Sequence, residues 1–330
     1  MDRSVYASVA QPVVQLIRNQ QVVCSSHITS SNVKSVPSGT LFCFSEKLLI
    51  PGGFSMRKSA VFVLLLSMLL CLSSCVARDS GQDSSGESGD GYDMVFQGVK
   101  YKLTFEDEFE GDTLDVSRWE YCPDTWDRGD FYWSDDATRV ENGNLILSVL
   151  PKDGTEYYCG GIRSRGLFEQ AYGCFEITCV LPAYPGVCNA FWLMCDAMGS
   201  NQVAGGTDGV EIDIFETSDP AKRSFQHALH WDGYGEQHQS SARTVNPNLF
   251  KTNIYDGNYH TFTFVWSKES YSFYVDGEKT WKTSDGGICQ IPLYMKVTAQ
   301  IMGWTGTFDG NLVPCDVMYV DSVRVYMAVE

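Results

Sequence analysis

Residues 208–219 read DGVEIDIFETSD, and within them Glu211, Asp213 and Glu216 stand among Val210, Ile212, Ile214 and Phe215. Carboxylates repel one another on a shared strand face and are costly to place in an apolar layer, so three in one such run imply a use. In an extended strand successive side chains alternate, which sends Glu211 and Asp213 to one face and Val210, Ile212 and Ile214 to the other. Strict alternation would send Glu216 to the apolar side. A β-bulge near Ile214-Phe215 inserts one residue and returns Glu216 to the acidic face. Three readings fit that face: the solvated side of a half-buried strand, a calcium site, or two glutamates converging on one bond. The last suits retaining glycosidic cleavage, in which carboxyl groups about 5–5.5 Å apart serve as nucleophile and acid/base. Charge coupling through the middle Asp would keep one Glu ionised and the other protonated near neutral pH.

The elements that must position this strand are short and apolar. Runs such as YKLTFEDEF (101–109), GNLILSVL (143–150), GCFEITCVL (173–181) and YHTFTFVW (259–266) are rich in β-branched and aromatic residues. Asn-Gly-Asn before Leu145 and Asp276-Gly277 supply turns, and no long helical periodicity or internal repeat occurs. Many short strands predict one all-β domain over residues 94–330, a sandwich or a barrel, with a large sandwich of two sheets preferred. In YHTFTFVW, alternation places His260, Phe262, Phe264 and Trp266 on one face, with His260 read as a structural histidine.

The chain ahead of this domain has a different character. From Met56, Arg57 and Lys58 precede an apolar run that ends at Leu72-Ser73-Ser74-Cys75. A basic start, a short apolar core and small residues at its end make a secretory signal, too short to span a membrane comfortably. The ending resembles a bacterial lipoprotein signal, which implies lipidation at Cys75 and an exported protein anchored to a membrane. Residues 1–55 are read as an upstream extension outside the mature protein, 56–75 as the signal, and 76–93 as a flexible Ser/Gly/acidic tether. A net charge of −17 without a Lys/Arg cluster excludes a nucleic-acid partner. Eight cysteines fall in the domain with no C-x-x-C pair, which leaves zinc unsupported and disulfide pairing open.

The E-x-D-x-x-E run of 211–216 resembles the bulged, laminarinase-like signature of glycoside hydrolase family 16. Other stretches resemble that family in the same order: LTFEDEFEGDTLDVSRWEY (103–121), GGIRSRGLFEQAYGCFEITCVLP (160–182), NAFWLM (189–194), YHTFTFVWSKESYSFYVDGE (259–278) and YVDSVRVY (319–326). The resemblance covers about residues 100–327. It implies a concanavalin A-like β-jelly-roll with a concave sugar-binding groove, working as a monomeric, endo-acting, retaining enzyme on a β-linked oligosaccharide or polysaccharide. Glu211 would be the nucleophile, Glu216 the acid/base, and Asp213 the residue that tunes them. Trp192 would be the sugar platform, with Arg163 and His230 as polar contacts and Trp231, Trp133 and Trp304 as further aromatic candidates.

Catalysis in this family requires no cofactor. Some members carry a structural calcium ion, and Glu108, the Gly143 carbonyl and Asp321 match that site. Related β-glucanases have Trp-Pro before A-F-W-L, where this chain has Cys188 and Asn189. That departure, with the altered loop after Glu216, points to a galactose-containing substrate (a galactan or host O-glycan) ahead of a β-1,3(4)-glucan. The reading of a different class is a surface lectin with a dead site.

Overall fold

Alternating side chains and turn residues resolve into strands that pair into two sheets. The computed structural model of the protein describes residues 91–123, 131–154, 156–199 and 205–329. The upstream extension, the signal, Cys75 and most of the tether lie outside the described residues.

One sheet runs β17 (Glu278–Thr283), β16 (Tyr271–Val275), β15 (His260–Trp266), β10 (Gly173–Val180), β19 (Cys315–Ala328), β6 (Leu145–Pro151), β7 (Tyr157–Cys159), β4 (Phe131–Trp133). Beside this path, β2 (Val99–Asp107) pairs with β19, β1 (Met94–Phe96) with β2, and β5 (Thr138–Val140) with β6. The second sheet runs β14 (Gln239–Val245), β13 (Phe225–Trp231), β12 (Val210–Thr217), β11 (Val187–Met194), β18 (Leu293–Ile301), β8 (Gly161–Arg163), β3 (Glu120–Tyr121). β9 (Glu169–Gln170) adds to β18. Among the described residues only short 3-10 turns interrupt the strands, so the fold is all-β.

The core lies between the sheets. Phe215 of β12 meets Phe262 of β15 with ring centroids 4.2 Å apart, and Phe225 of β13 meets the same ring edge-on at 5.8 Å. Burying each such ring contributes roughly 2 kcal/mol. His260, Phe262, Phe264 and Trp266 of β15 are all buried, whereas Thr261 and Val265 are half-buried. His260 lies 2.8 Å from Asp276 and 3.2 Å from Asp256, which tie the start of β15 to the β16–β17 turn. These acids, Asp276 foremost, raise its pKa against the opposing effect of burial. Its place is structural. Asp107 is another buried acid, satisfied by Trp119 Nε1 and by the Phe109 amide, both at 2.8 Å.

All eight cysteines of the described residues carry free thiols, and seven of them are buried. They act as small apolar fillers. The placement that matters most here is that of β12, inside the second sheet with β11 and β13 as its neighbours.

Candidate active site

From Asp213 to Glu216 is three residue steps along β12, yet their partners Ala228 and Gln226 on β13 are two apart. On β11 the partners Trp192 and Ala190 are likewise two apart. One residue of β12 is therefore extra, at Ile214-Phe215, where alternation required it. Ile214 and Phe215 are both buried, while Glu211, Asp213 and Glu216 line one pocket with Ala190, Trp192, Gln300 and Met302. His227 holds the bulge from β13. Its Nδ1 lies 2.6 Å from the Ile214 carbonyl and its Nε2 lies 2.8 Å from Thr280 Oγ1. Burial pushes the His227 pKa down to about 4, so the ring is neutral and Nδ1 donates its proton to that carbonyl.

The three acids have distinct surroundings. Asp213 is 4% exposed, and its Oδ2 has no hydrogen-bond partner. Burial, then the charges of Glu216 and Glu211, hold its pKa well above the usual carboxylate range, with Lys296 opposing them. Burial thus favours the protonated form of Asp213. Glu216 accepts a hydrogen bond from Gln226 Nε2 at 2.8 Å and the thiol of Cys188 at 3.7 Å. Burial raises its pKa too, partly offset by the Gln226 bond. Glu211 is less buried and accepts a hydrogen bond from the hydroxyl of Tyr234, a residue 51% exposed on the β13–β14 connection.

His230 Nε2 sits 3.5 Å from Asp213 Oδ2, and its Nδ1 is 3.0 Å from His238 Nε2, with the two rings stacked. Burial, then His238, lowers the His230 pKa. Donor atoms of Glu211, Asp213 and His230 lie within 4.8 Å of one another, a grouping suited to a shared proton or a cation. Chemically, the pocket combines an accessible carboxylate with a buried one held toward its protonated form.

A polar row crosses the sheet from this pocket. The register aligns Asp213 with Trp192, Trp192 with Lys296, Lys296 with Arg163, and Arg163 with Glu120. Lys296 is 3% exposed, with Nζ 3.8 Å from the Trp192 ring centroid and 4.6 Å from that of Trp133. Contact with two ring faces offsets part of the cost of burying the charge. Arg163 Nε pairs with Glu120 Oε1 at 2.5 Å.

Of the residues expected at the site, the pocket gathers Glu211, Asp213, Glu216 and Trp192, and His230 reaches Asp213. Trp192 is only 5% exposed: Thr298 Oγ1 accepts from its indole N–H at 3.0 Å and Lys296 covers one ring face. The structure does not bring the other candidates into the pocket wall. Trp133 is 1% exposed and donates to the Ala299 carbonyl, against a separate cleft lined by Tyr121, Ser134 and Asp135. Trp231 packs on Gly286, where a Cβ would come within 2.7 Å of the ring. Trp304 is 47% exposed, two residues beyond Met302 of the pocket.

The expected calcium ligands come to one edge, since Leu145 pairs with Val320 and Asp107 with Val323. There Glu108 Oε1 pairs with Arg324 at 2.6 Å. Sequence reasoning missed Tyr234, Gln226 and Lys296. Lys296 had a signal, a lone cation in the apolar run LYMKVTAQI; Tyr234 sits on an aperiodic loop and had none.

Comparison with known proteins places this geometry. A model of "Glycosyl hydrolases family 16" matches residues 126–312. Glucan endo-1,3-beta-glucosidase A1 of Niallia circulans is 26% identical over 264 residues, 68% of this chain and 37% of that protein. The chain thus spans less than half the length of that curated relative. The endo-beta-1,3-glucanase structure from Pyrococcus furiosus aligns with a TM-score of 0.59 at 22% identity, covering 72% of this chain and 98% of that one. A structure of an endo-acting O-glycanase from human gut microbes, linked to mucin breakdown, aligns at 0.56 and 18% identity, covering 69% of this chain and 91% of that one. At these identities the structural likeness establishes the shared jelly-roll sandwich. With more than half of its residues matched by the family model, the chain belongs to the glycosyl hydrolases of family 16.

Proposed function

We propose that the protein is a retaining, endo-acting β-glycosidase in which Glu211 attacks the sugar's anomeric carbon and Glu216 protonates the leaving oxygen. The observation that carries this is the bulge, which turns both glutamates and Asp213 into one pocket. In the first step a bond forms between a Glu211 oxygen and the anomeric carbon, the glycosidic C–O bond breaks, and the proton of Glu216 passes to the departing oxygen. In the second, Glu216 takes a proton from water, which displaces the Glu211 ester and restores both acids. The raised pKa of Glu216 suits an acid working near neutral pH. Burial favours the protonated form of Asp213 beside them, which limits the negative charge next to the nucleophile. No step runs through a cation; a calcium ion at Glu108, Gly143 and Asp321 would serve stability alone.

For substrate we favour a galactose-containing β-linked glycan, bound in an open groove. The observation behind this is Cys188 and Asn189 in place of Trp-Pro, with Cys188 against the acid/base itself. The second reading, a β-1,3(4)-glucan, has the curated relatives behind it: Niallia circulans A1 and the beta-glucanase of Rhodothermus marinus, 25% identical over 272 residues. The test is product analysis of the protein with galactan, mucin-type O-glycans, laminarin and mixed-linkage β-glucan, using Glu216→Gln as the control. Oligosaccharides from the first two support the galactose reading, and products from the glucans alone replace it with the second. Binding without cleavage of any of the four would make the protein a lectin and overturn the enzyme reading.

A further inference from the structure

Glu216 is held from both neighbouring strands. Gln226 is its register partner on β13 and donates Nε2–H to Oε2 at 2.8 Å. On β11 its register partner is Ala190, which offers no donor, and the contact comes from Cys188, whose Sγ lies 3.7 Å from Oε1. Cys188 is fully enclosed, opposite Gln300 on β18. We propose that Gln226 and Cys188 are the positioning residues of Glu216, an amide and a thiol that clamp one carboxylate oxygen each and stabilise its ionised form. This rests on the acid/base role proposed above for Glu216.

The chemistry of the two donors is complementary. The amide carries no charge and cannot titrate. Burial, foremost, and the nearby acids hold the Cys188 thiol well above its ordinary range, so it stays S–H and donates. A carboxylate that must lose and regain a proton each cycle needs an acceptor-filling partner on both oxygens when ionised. Without the two donors, burial leaves the ionised form unsupported. The other groups facing the site push in known directions. From β12, Glu211 raises the Glu216 pKa, while burial favours the uncharged form of Asp213. From β13, His230 lowers it. From β18, Lys296 acts on Asp213. Tyr255, on the β14–β15 connection near Cys188, donates its hydroxyl to the Ser224 carbonyl at 2.6 Å.

The test is carboxyl carbon NMR of the protein labelled at Glu side chains, with the Glu216 resonance assigned from Glu216→Gln and followed against pH. Cys188→Ala should raise the Glu216 midpoint by roughly half a unit and Gln226→Leu by about one unit. In active protein, the basic limb of the kcat/KM profile should move to higher pH by the same amounts. Glu216 midpoints unchanged in folded Cys188→Ala and Gln226→Leu proteins would overturn the inference. If Gln226→Leu does not fold, Cys188→Ala decides alone, since it keeps the backbone and Cβ. Because the titration needs no substrate, shifted midpoints in a protein that cleaves no glycan would support the clamp and reject the enzyme reading.

Discussion

Asp213 separates the stability of this site from its chemistry. It is buried, its Oδ2 lacks a hydrogen-bond partner, and its pKa is raised. In the unfolded chain the same carboxyl ionises near the usual value of about 3.9. Its contribution to stability is therefore complete below that value and is lost as pH rises toward the folded pKa. Asp213→Asn, isosteric and uncharged, should melt at a higher temperature than the wild type at pH 8, with the gap closing toward pH 4. Because Asn keeps the position uncharged, the variant's kcat should stay within about tenfold of the wild type, read by steady-state kinetics. A melting difference that does not vary with pH would reject the protonated assignment. Tyr234 makes a second case: Tyr234→Phe deletes one hydrogen bond to Glu211 and nothing of the ring. We expect roughly a three- to tenfold loss in kcat/KM with an unchanged fold, read by steady-state kinetics and circular dichroism.

At the scale of elements, the bulge decides whether the pocket exists, and His227 is its latch. His227→Leu keeps an apolar body but removes the donor to the Ile214 carbonyl, leaving that buried group unpaired. The expected cost is about 2–3 kcal/mol in chemical denaturation, with activity falling further than stability because Glu216 loses its direction. The latch also carries a pH signature. Burial depresses the folded pKa of His227 to about 4 from its ordinary 6.5. The unfolded chain takes up that proton first, so stability is full above about 6.5 and falls as pH drops toward 4. Unfolding midpoints of wild type and His227→Leu measured from pH 7 to pH 4 should converge on acidification.

At the scale of the whole molecule, we propose a location for the chemistry. A signal ending at Cys75 and a Ser/Gly/acidic tether would hold the sandwich near a membrane while leaving its pocket free to meet long glycans. A single acyl chain binds membranes only marginally, so such an anchor would need a second attachment. Cys75→Ser should move the protein from the membrane fraction to the soluble one without changing its specific activity. Equal membrane recovery of wild type and Cys75→Ser would reject the anchor.

How much of this was legible in the chain follows from the range of the forces involved. Strand periodicity and turn residues are local, so the all-β sandwich and the alternation of β15 could be read directly, as could the bulge demanded by Glu216. The acidic trio was legible for the same reason, three residue types set within one strand. Which aromatic residues reach the pocket was not, because Trp133, Trp231 and Trp304 owe their surroundings to strands and loops distant in sequence. The partners of the acids were hidden likewise. Gln226, Cys188, His230 and Lys296 come from three other strands, and only sheet pairing brings them to β12. The sequence by itself determined the strands and which acids share a face; the tertiary structure alone set the direction in which the Asp213 and Glu216 pKa values move, since burial and cross-strand charge exist only once the sheets are packed.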